Sequence, residues 1–222
     1  MVKVYITNVS NLPDPWCRPL IMQELPEERI EKAMRARRLE GRKQSLGAGL
    51  LLEYVKKTHC KSTNFNLSHS GDYVICAVSN RPIGCDIEKI KEAPVKVAER
   101  YFAKSEAEYL KSLDEEAQDE EFFRLWTIKE SYTKMNGRGL SMGLKTFEVI
   151  FEEKNAETAE TTEVFETSGT PNLSDKRHRK ISIIQDGKAV DCHIKEYQLD
   201  GYKISICAEE EAFEDELNYV EF

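Results

Sequence analysis

Long apolar runs are missing from this 222-residue sequence. None approaches the roughly 18 residues that a membrane-spanning helix needs, so no membrane span is expected. Cysteine pairs are missing too. Of Cys17, Cys60, Cys76, Cys85, Cys192 and Cys207, none stands in a C-x-x-C spacing, and Cys76, Cys192 and Cys207 lie in apolar, strand-like runs. Reduced, mostly buried thiols in a cytoplasmic protein are therefore expected, rather than a disulfide framework or a zinc cage. The sequence has no G-x-S-x-G elbow, no P-loop and no G-x-G-x-x-G fingerprint, which removes the usual signs of those hydrolases and nucleotide binders. It also lacks an excess of positive charge. The formal net charge is −8, which argues against general nucleic-acid affinity. The opening MVKVYITNVS carries a charge and alternates like a strand, so no secretory signal is expected there.

What is present describes a globular chain, 40% hydrophobic and 32% charged, long enough for one large domain or two small ones. Charge is unevenly spread. Residues 29–43 are rich in Arg and Lys, whereas 114–121 and 209–216 are acidic blocks. A local basic segment on an acidic chain points to a phosphorylated small molecule or an acidic partner.

Val2, Val4 and Ile6 alternate with Lys3 and Tyr5 as a first strand, followed by a loop through Pro13, Pro15 and Pro19. Pro26 stands near the start of a helix with Glu27 and Glu28 in its first turn, where they suit the dipole. Its inward stripe is read as Ile30, Ala33, Met34 and Arg37/Arg38, with Gly41 as a stop. A second helix spans about 43–58, with Leu46, Leu50 and Tyr54 on one face, and Gly47 and Gly49 marking a close backbone approach. The run YVICAV (73–78) is too continuous to be half-exposed and reads as a central strand, followed by a short strand over 83–87. Helical patterns follow at 94–102 and at 105–113, the latter with Ser105 as N-cap and Glu108 at the capping-box position. Beyond the next helix the chain turns to β. Residues 152–179 are a polar, Thr/Glu-rich excursion. Residues 181–184 and 190–197 are expected as a hairpin around Asp186-Gly187, and 202–208 as the last strand. The acidic tail is expected to pack through Phe213, Leu217 and Tyr219. SGDYVICAV (70–78) and DGYKISICAE (200–209) form a faint repeat, fitting a chain of two similar α+β halves, 1–81 and 82–222.

Three places carry chemistry. Residues 122–140, FFRLWTIKESYTKMNGRGL, read as a helix with Trp126, Lys129, Glu130, Thr133 and Lys134 on one face. That face is either a solvated charge run or an acid aimed at a metal or phosphate. Asp86 and Glu88, in Gly84-Cys-Asp-Ile-Glu, lie two apart and share one face of a strand. Side-by-side carboxylates repel unless a cation or proton lies between them, and oxygen-only ligands favour Mg²⁺. Glu130 is the best-placed third acid; the alternative is an ordinary acidic strand end. Ser68-His69-Ser70 is either a turn or a set of donors for phosphate oxygens.

In order, NFNLSHSG, PIGCDIEKI and FFRLWTIKESYTKMNGRGL resemble the three motifs of the Sfp-type 4′-phosphopantetheinyl transferases, the surfactin-synthetase-activating branch. The resemblance runs from about Arg35 to Leu140. It implies a pseudo-dimeric α+β monomer with coenzyme A (CoA) in the cleft between its halves. By it, Asp86, Glu88 and Glu130 bind Mg²⁺, with Mn²⁺ as a substitute, against the CoA pyrophosphate. Lys134 contacts the phosphates, Ser68 and His69 hold phosphate oxygens, and Arg38, Arg42 and Lys43 lie near the 3′-phosphate. The Gly-Lys-Pro turn that many relatives carry before the Asn-Phe-Asn motif is shortened here to Lys56-Lys-Thr-His-Cys-Lys61.

The implied reaction is attack by a serine hydroxyl of an apo acyl, peptidyl or aryl carrier protein on the β-phosphorus of CoA, releasing 3′,5′-ADP. Glu130 or a metal-held water takes the serine proton, and Lys134 neutralises the leaving phosphate. Two rivals remain: a non-catalytic CoA- or carrier-binding module, and a Mg²⁺-dependent phosphohydrolase of nucleotides.

Overall fold

A computed structural model describes residues 1–12, 25–59, 64–152 and 180–222. The proline loop, Cys17, Cys60 and all but the first residue of the polar excursion lie outside the described residues. The chain begins with β1 (Lys3–Asn8), α1 (Glu27–Met34) and α2 (Leu39–Thr58), followed by β2 (Asn64–Ser70), β3 (Tyr73–Ser79) and β4 (Ile83–Lys89). Helices α3 (Val95–Tyr101), α4 (Lys104–Lys111) and α5 (Glu115–Met135) come next. The remaining strands are β5 (Phe147–Glu152), β6 (Lys180–Gln185), β7 (Lys188–Ala189), β8 (His193–Leu199), β9 (Tyr202–Ala208) and β10 (Asn218–Tyr219).

Strand alternation builds the layers. In the first sheet, ordered β10-β1-β3-β2, Val4, Ile6, Ile75 and Ala77 face one way, and Tyr5, Val74, Cys76 and Val78 the other. The second group is covered by Leu46, Leu50, Leu51 and Val55 of α2. The first packs on Ile83, Cys85, Ile87, Ile204 and Ile206 of a second sheet, ordered β4-β9-β8. The far side of that sheet carries α5, beyond which a core of Phe102, Leu110, Phe122, Ile128, Tyr132 and Phe147 joins α3, α4 and the third sheet, β5-β6-β7. The fold is α+β.

The two main sheets repeat one arrangement. In each, the second strand of a hairpin lies in the middle, paired antiparallel to the first strand of the hairpin and to an earlier strand: β1-β3-β2 and β4-β9-β8. The faint sequence repeat falls on these two central strands, β3 and β9. Each hairpin closes on two residues with a glycine at positive φ, Gly71 at 52° and Gly201 at 73°. The C-terminal tail returns to the first sheet, where β10 pairs parallel with β1 and Val220 is buried.

Several local expectations are corrected. The stripe of the first helix ends at Met34, Arg37 and Arg38 are exposed, and Gly41 lies in the first turn of α2 rather than stopping a helix. Gly47 is a close approach as expected, since a Cβ there would run into the Val9 side chain, but Tyr54 is exposed. The N-cap of α4 is Ala103, two residues before the expected Ser105; Glu106, not Glu108, reaches back to the Ala103 N–H at 2.9 Å. The Asp186-Gly187 turn is present with both φ positive, but β7 is only two residues long. Residues 193–199 instead pair with β9, where Ile194 and Tyr197 cover buried Cys207 and Ile204. In the tail, Phe213 and Leu217 pack as expected while Tyr219 is exposed. Among the described residues no helix is long and apolar enough to cross a membrane.

Candidate active site

The site forms where the two sheets and α5 meet. In β4, Ile83, Cys85 and Ile87 face the first sheet, so Gly84, Asp86 and Glu88 face the other side. At Gly84 the strand is bare: a Cβ there would collide with the Ser131 carbonyl oxygen and the Met135 nitrogen of α5. A glycine inside a strand marks such an approach, and here it lets the helix lie directly on the backbone. Asp114 caps that helix, accepting from the Ala117 N–H at 2.9 Å, with Glu115 and Glu116 in its first turn. From Glu121 to Thr133 every residue of α5 except Trp126 is buried, so it is no surface helix. Trp126 stacks on Phe122 and packs against Phe102, an anchor at the edge of the core.

The expected single charged face is divided. Lys129 points away from β4, with its Nζ donating to Glu106 at 2.8 Å and to the Leu144 and Phe147 carbonyls at 3.0 and 2.8 Å. Glu130 and Lys134 point toward β4. Lys134 Nζ donates to Asp86 Oδ1 at 2.6 Å, Ser68 Oγ at 3.1 Å and the Cys85 carbonyl at 3.0 Å.

Strand β2 lies beside β4 and is stitched to it by side chains. Asn66 Oδ1 accepts from the Cys85 N–H, Ser68 donates to Asp86 Oδ1 at 2.7 Å, and Ser70 donates to Glu88 Oε2 at 2.8 Å. Two hydroxyl–carboxylate pairs thus stand two residues apart on both strands. His69, between the two serines, is on the opposite side of β2. With Ser70, Gly71, Lys89, Ile90, Lys91 and the α2 residues Glu40 and Gln44, it lines an open cleft of about 460 Å³. Gln44 fixes that wall by donating to the Gly71 carbonyl at 2.8 Å.

The basic segment does not reach the carboxylates. Arg38 is exposed at the start of α2, Arg42 donates to the Ala36 carbonyl and Lys43 to the Ser10 carbonyl.

Burial dominates the electrostatics. It pushes the Asp86 carboxyl up against the pull of Lys134, and pushes Glu130 up to about 6, with the neighbouring Asp86 charge adding to the rise. Burial and Asp86 together raise Glu88. For Lys134, burial works downward but is outweighed by Asp86, so the ammonium is held charged. Although the His69 side chain keeps an exposed face on the cleft, partial loss of solvent, then the Lys134 charge, lowers its pKa and favours the neutral ring. Burial lifts the Cys85 thiol to about 12, which removes it as a nucleophile.

Asp86 Oδ2 and Glu130 Oε1 are buried and have no hydrogen-bond partner among the described residues. Orphaned buried carboxylate oxygens are costly, and two of them on carboxyls close enough that the Asp86 charge raises Glu130 call for a cation. The donor set is all oxygen, which suits Mg²⁺. Asp86 and Glu130 fit as ligands; Glu88 stands near enough to raise Glu130 but is bonded to Ser70. No three acidic, His or Cys side chains among the described residues form a ready-made metal cage, so the remaining positions would fall to substrate and water. Sequence reasoning missed the roles of Gly84 and Gln44, and it read Ser70 as a phosphate donor without its bond to Glu88. Gly84 shares a strand face with Asp86, so it carried a period-two signal.

A family model described as the 4'-phosphopantetheinyl transferase superfamily matches residues 82–207, more than half of the chain. The chain is 34% identical over 160 residues to the 4'-phosphopantetheinyl transferase Sfp of Bacillus subtilis (strain 168), covering 72% of this chain and 61% of that protein. Over 182 residues it is 32% identical to the 4'-phosphopantetheinyl transferase psf-1 of Bacillus pumilus, covering 71% and 78% respectively. It is 34% identical over 157 residues to the 4'-phosphopantetheinyl transferase gsp of Aneurinibacillus migulanus, covering 70% and 56%. The chain thus spans about three fifths of the length of the first and third of these relatives. The chain belongs to the 4'-phosphopantetheinyl transferase superfamily.

Proposed function

We propose that this protein transfers the 4′-phosphopantetheine group of CoA to a serine of an apo carrier protein, releasing 3′,5′-ADP in a Mg²⁺-dependent reaction. The observation that carries the reading is the pair of buried, unpartnered oxygens on Asp86 and Glu130, set beside the Lys134 ammonium. A divalent cation bound there would screen the CoA pyrophosphate and stabilise charge on the departing oxygens.

The chain's own residues supply the rest. Asp86 and Glu130 would hold the cation, and Glu88 would join them or stay with Ser70. Glu130, whose carboxyl is pushed up to about 6, accepts the proton of the attacking serine. As the serine oxygen bonds to the β-phosphorus and the bond to 3′,5′-ADP breaks, Lys134 neutralises the leaving phosphate. His69 donates to a phosphate oxygen from the cleft wall, and Ser68 reaches the phosphates by exchanging its bond to Asp86. Arg38 is exposed and meets the 3′-phosphate directly; Arg42 and Lys43 join it by leaving the Ala36 and Ser10 carbonyls. CoA lies between the halves 1–81 and 82–222, a pseudo-dimer within one monomer, in the cytoplasm.

Incubation of the protein with CoA, Mg²⁺ and an apo carrier protein tests this. A phosphopantetheine mass gain on the carrier is the expected result. CoA cleavage without a carrier would mark a phosphohydrolase, and CoA retention without reaction a binding module.

A further inference from the structure

We propose that Lys129 and Glu106 are a positioning pair that sets the rotation of α5 so that Glu130 and Lys134 face β4; this rests on the transfer reading above. The pair is fully enclosed. Lys129 has no exposed surface, and its three N–H donors are all used, on Glu106 and on the Leu144 and Phe147 carbonyls. Glu106 is equally committed: Oε1 accepts from the Val149 N–H and Oε2 from the Ala103 N–H, both at 2.9 Å. The Phe147 ring lies 4.3 Å from the ammonium. One helical residue thereby ties α4, α5 and the start of β5 together.

Neighbouring residues on a helix are turned by about 100° from each other, so fixing Lys129 fixes the direction of Glu130. Such a fixture is needed because of Gly84. A bare strand lets α5 come close but offers no knob to prevent it rolling. Arg124 and Thr127, bonded to Glu196 and Ser205, hold the helix further toward its start. At the level of Glu130 the charged anchor is Lys129. A buried ion pair is weak support for stability, because apolar residues of like volume usually serve as well, so orientation is the better account of this one.

The test uses Lys129→Met, E106Q and a control, Leu50→Ala, which thins the separate core under α2. Transfer kinetics and the Mg²⁺ midpoint are measured at low temperature, with circular dichroism confirming that each protein is folded. Lys129→Met should lower kcat about a hundredfold, as a reacting group displaced by an ångström does. It should also raise the Mg²⁺ midpoint about tenfold and leave the KM for CoA within about twofold. E106Q, which retains size and one oxygen for Lys129 but turns an amide NH2 toward the Val149 N–H, should show a smaller change in the same direction. Leu50→Ala should lose thermal stability alone. The proposal is overturned if the folded pair variants match wild type in kcat and Mg²⁺ midpoint, or if the control loses as much as they do. A wild type that neither transfers nor responds to Mg²⁺ would instead refute the transfer reading.

Discussion

Helix α5 carries two buried lysine–carboxylate groups less than two turns apart, and they are built to opposite standards. Around Lys129 every donor and acceptor is matched: three acceptors for the ammonium, two backbone donors and the ammonium for Glu106. Around Lys134 the ammonium is matched, but one oxygen each of Asp86 and Glu130 is left over, and Glu130 is raised to about 6. Complete satisfaction describes a structural joint. Incomplete satisfaction on a rigid scaffold describes a site that waits for a ligand, at a cost in stability borne by the rest of the fold.

The comparison can be broken most forcefully at Glu130. Glu130→Gln should lower transfer by about three orders of magnitude while CoA remains bound, as the loss of a charge-stabilising group in a closed site does. Mass analysis of the carrier and equilibrium dialysis of CoA read the two effects. Next come the lysines themselves. Removing either strands a buried carboxylate, so Lys134→Met and Lys129→Met should each cost about 3 kcal/mol in urea unfolding. Mg²⁺ should restore part of the loss for Lys134→Met, where a cation has oxygens to bind, and none for Lys129→Met. Equal restoration would erase the distinction between the two clusters.

Gly84→Ala should cost about 2 kcal/mol, typical of overpacking, because the helix backbone and not a flexible side chain must yield. The smallest expected effect is on pH. A carboxyl raised from 4.5 to about 6 in the fold is ionised at a cost above that range, and the cost disappears as it protonates below. Metal-free wild type should therefore gain about 1 kcal/mol from Glu130 on acidification from pH 7 to pH 4.5, allowing for screening. E130Q should lack that gain, as read by denaturant titration at each pH. Saturating Mg²⁺ should remove it from wild type as well.

Much of this site was legible because its residues fall in short periodic strings. Asp86 and Glu88 two apart, and Glu130 and Lys134 four apart, place themselves on a strand face and a helix face without reference to the rest of the chain. The resemblance then joined the strings. Lys129 was misplaced for a physical reason: in a helix buried on nearly every side, charge does not mark the solvent face, and its partner Glu106 lies on another helix. Likewise, the sequence pattern placed a strand at 190–197, overlapping the observed His193–Leu199, but gave no sign that it pairs with β9 rather than with β6. The basic segment was legible as composition alone. Composition does not say that Arg42 and Lys43 are engaged by the Ala36 and Ser10 carbonyls.

Asp86 Oδ2 and Glu130 Oε1, without partners among the described residues, are expected to take a divalent cation. Thermal unfolding of metal-free wild type, Asp86→Asn and Glu130→Gln, with and without millimolar Mg²⁺, addresses this without recourse to turnover. Wild type should gain several degrees in Tm from Mg²⁺, roughly the shift of 1–2 kcal/mol in a chain of this size, and neither variant should gain. An equal Mg²⁺-dependent gain in all three proteins would contradict the account.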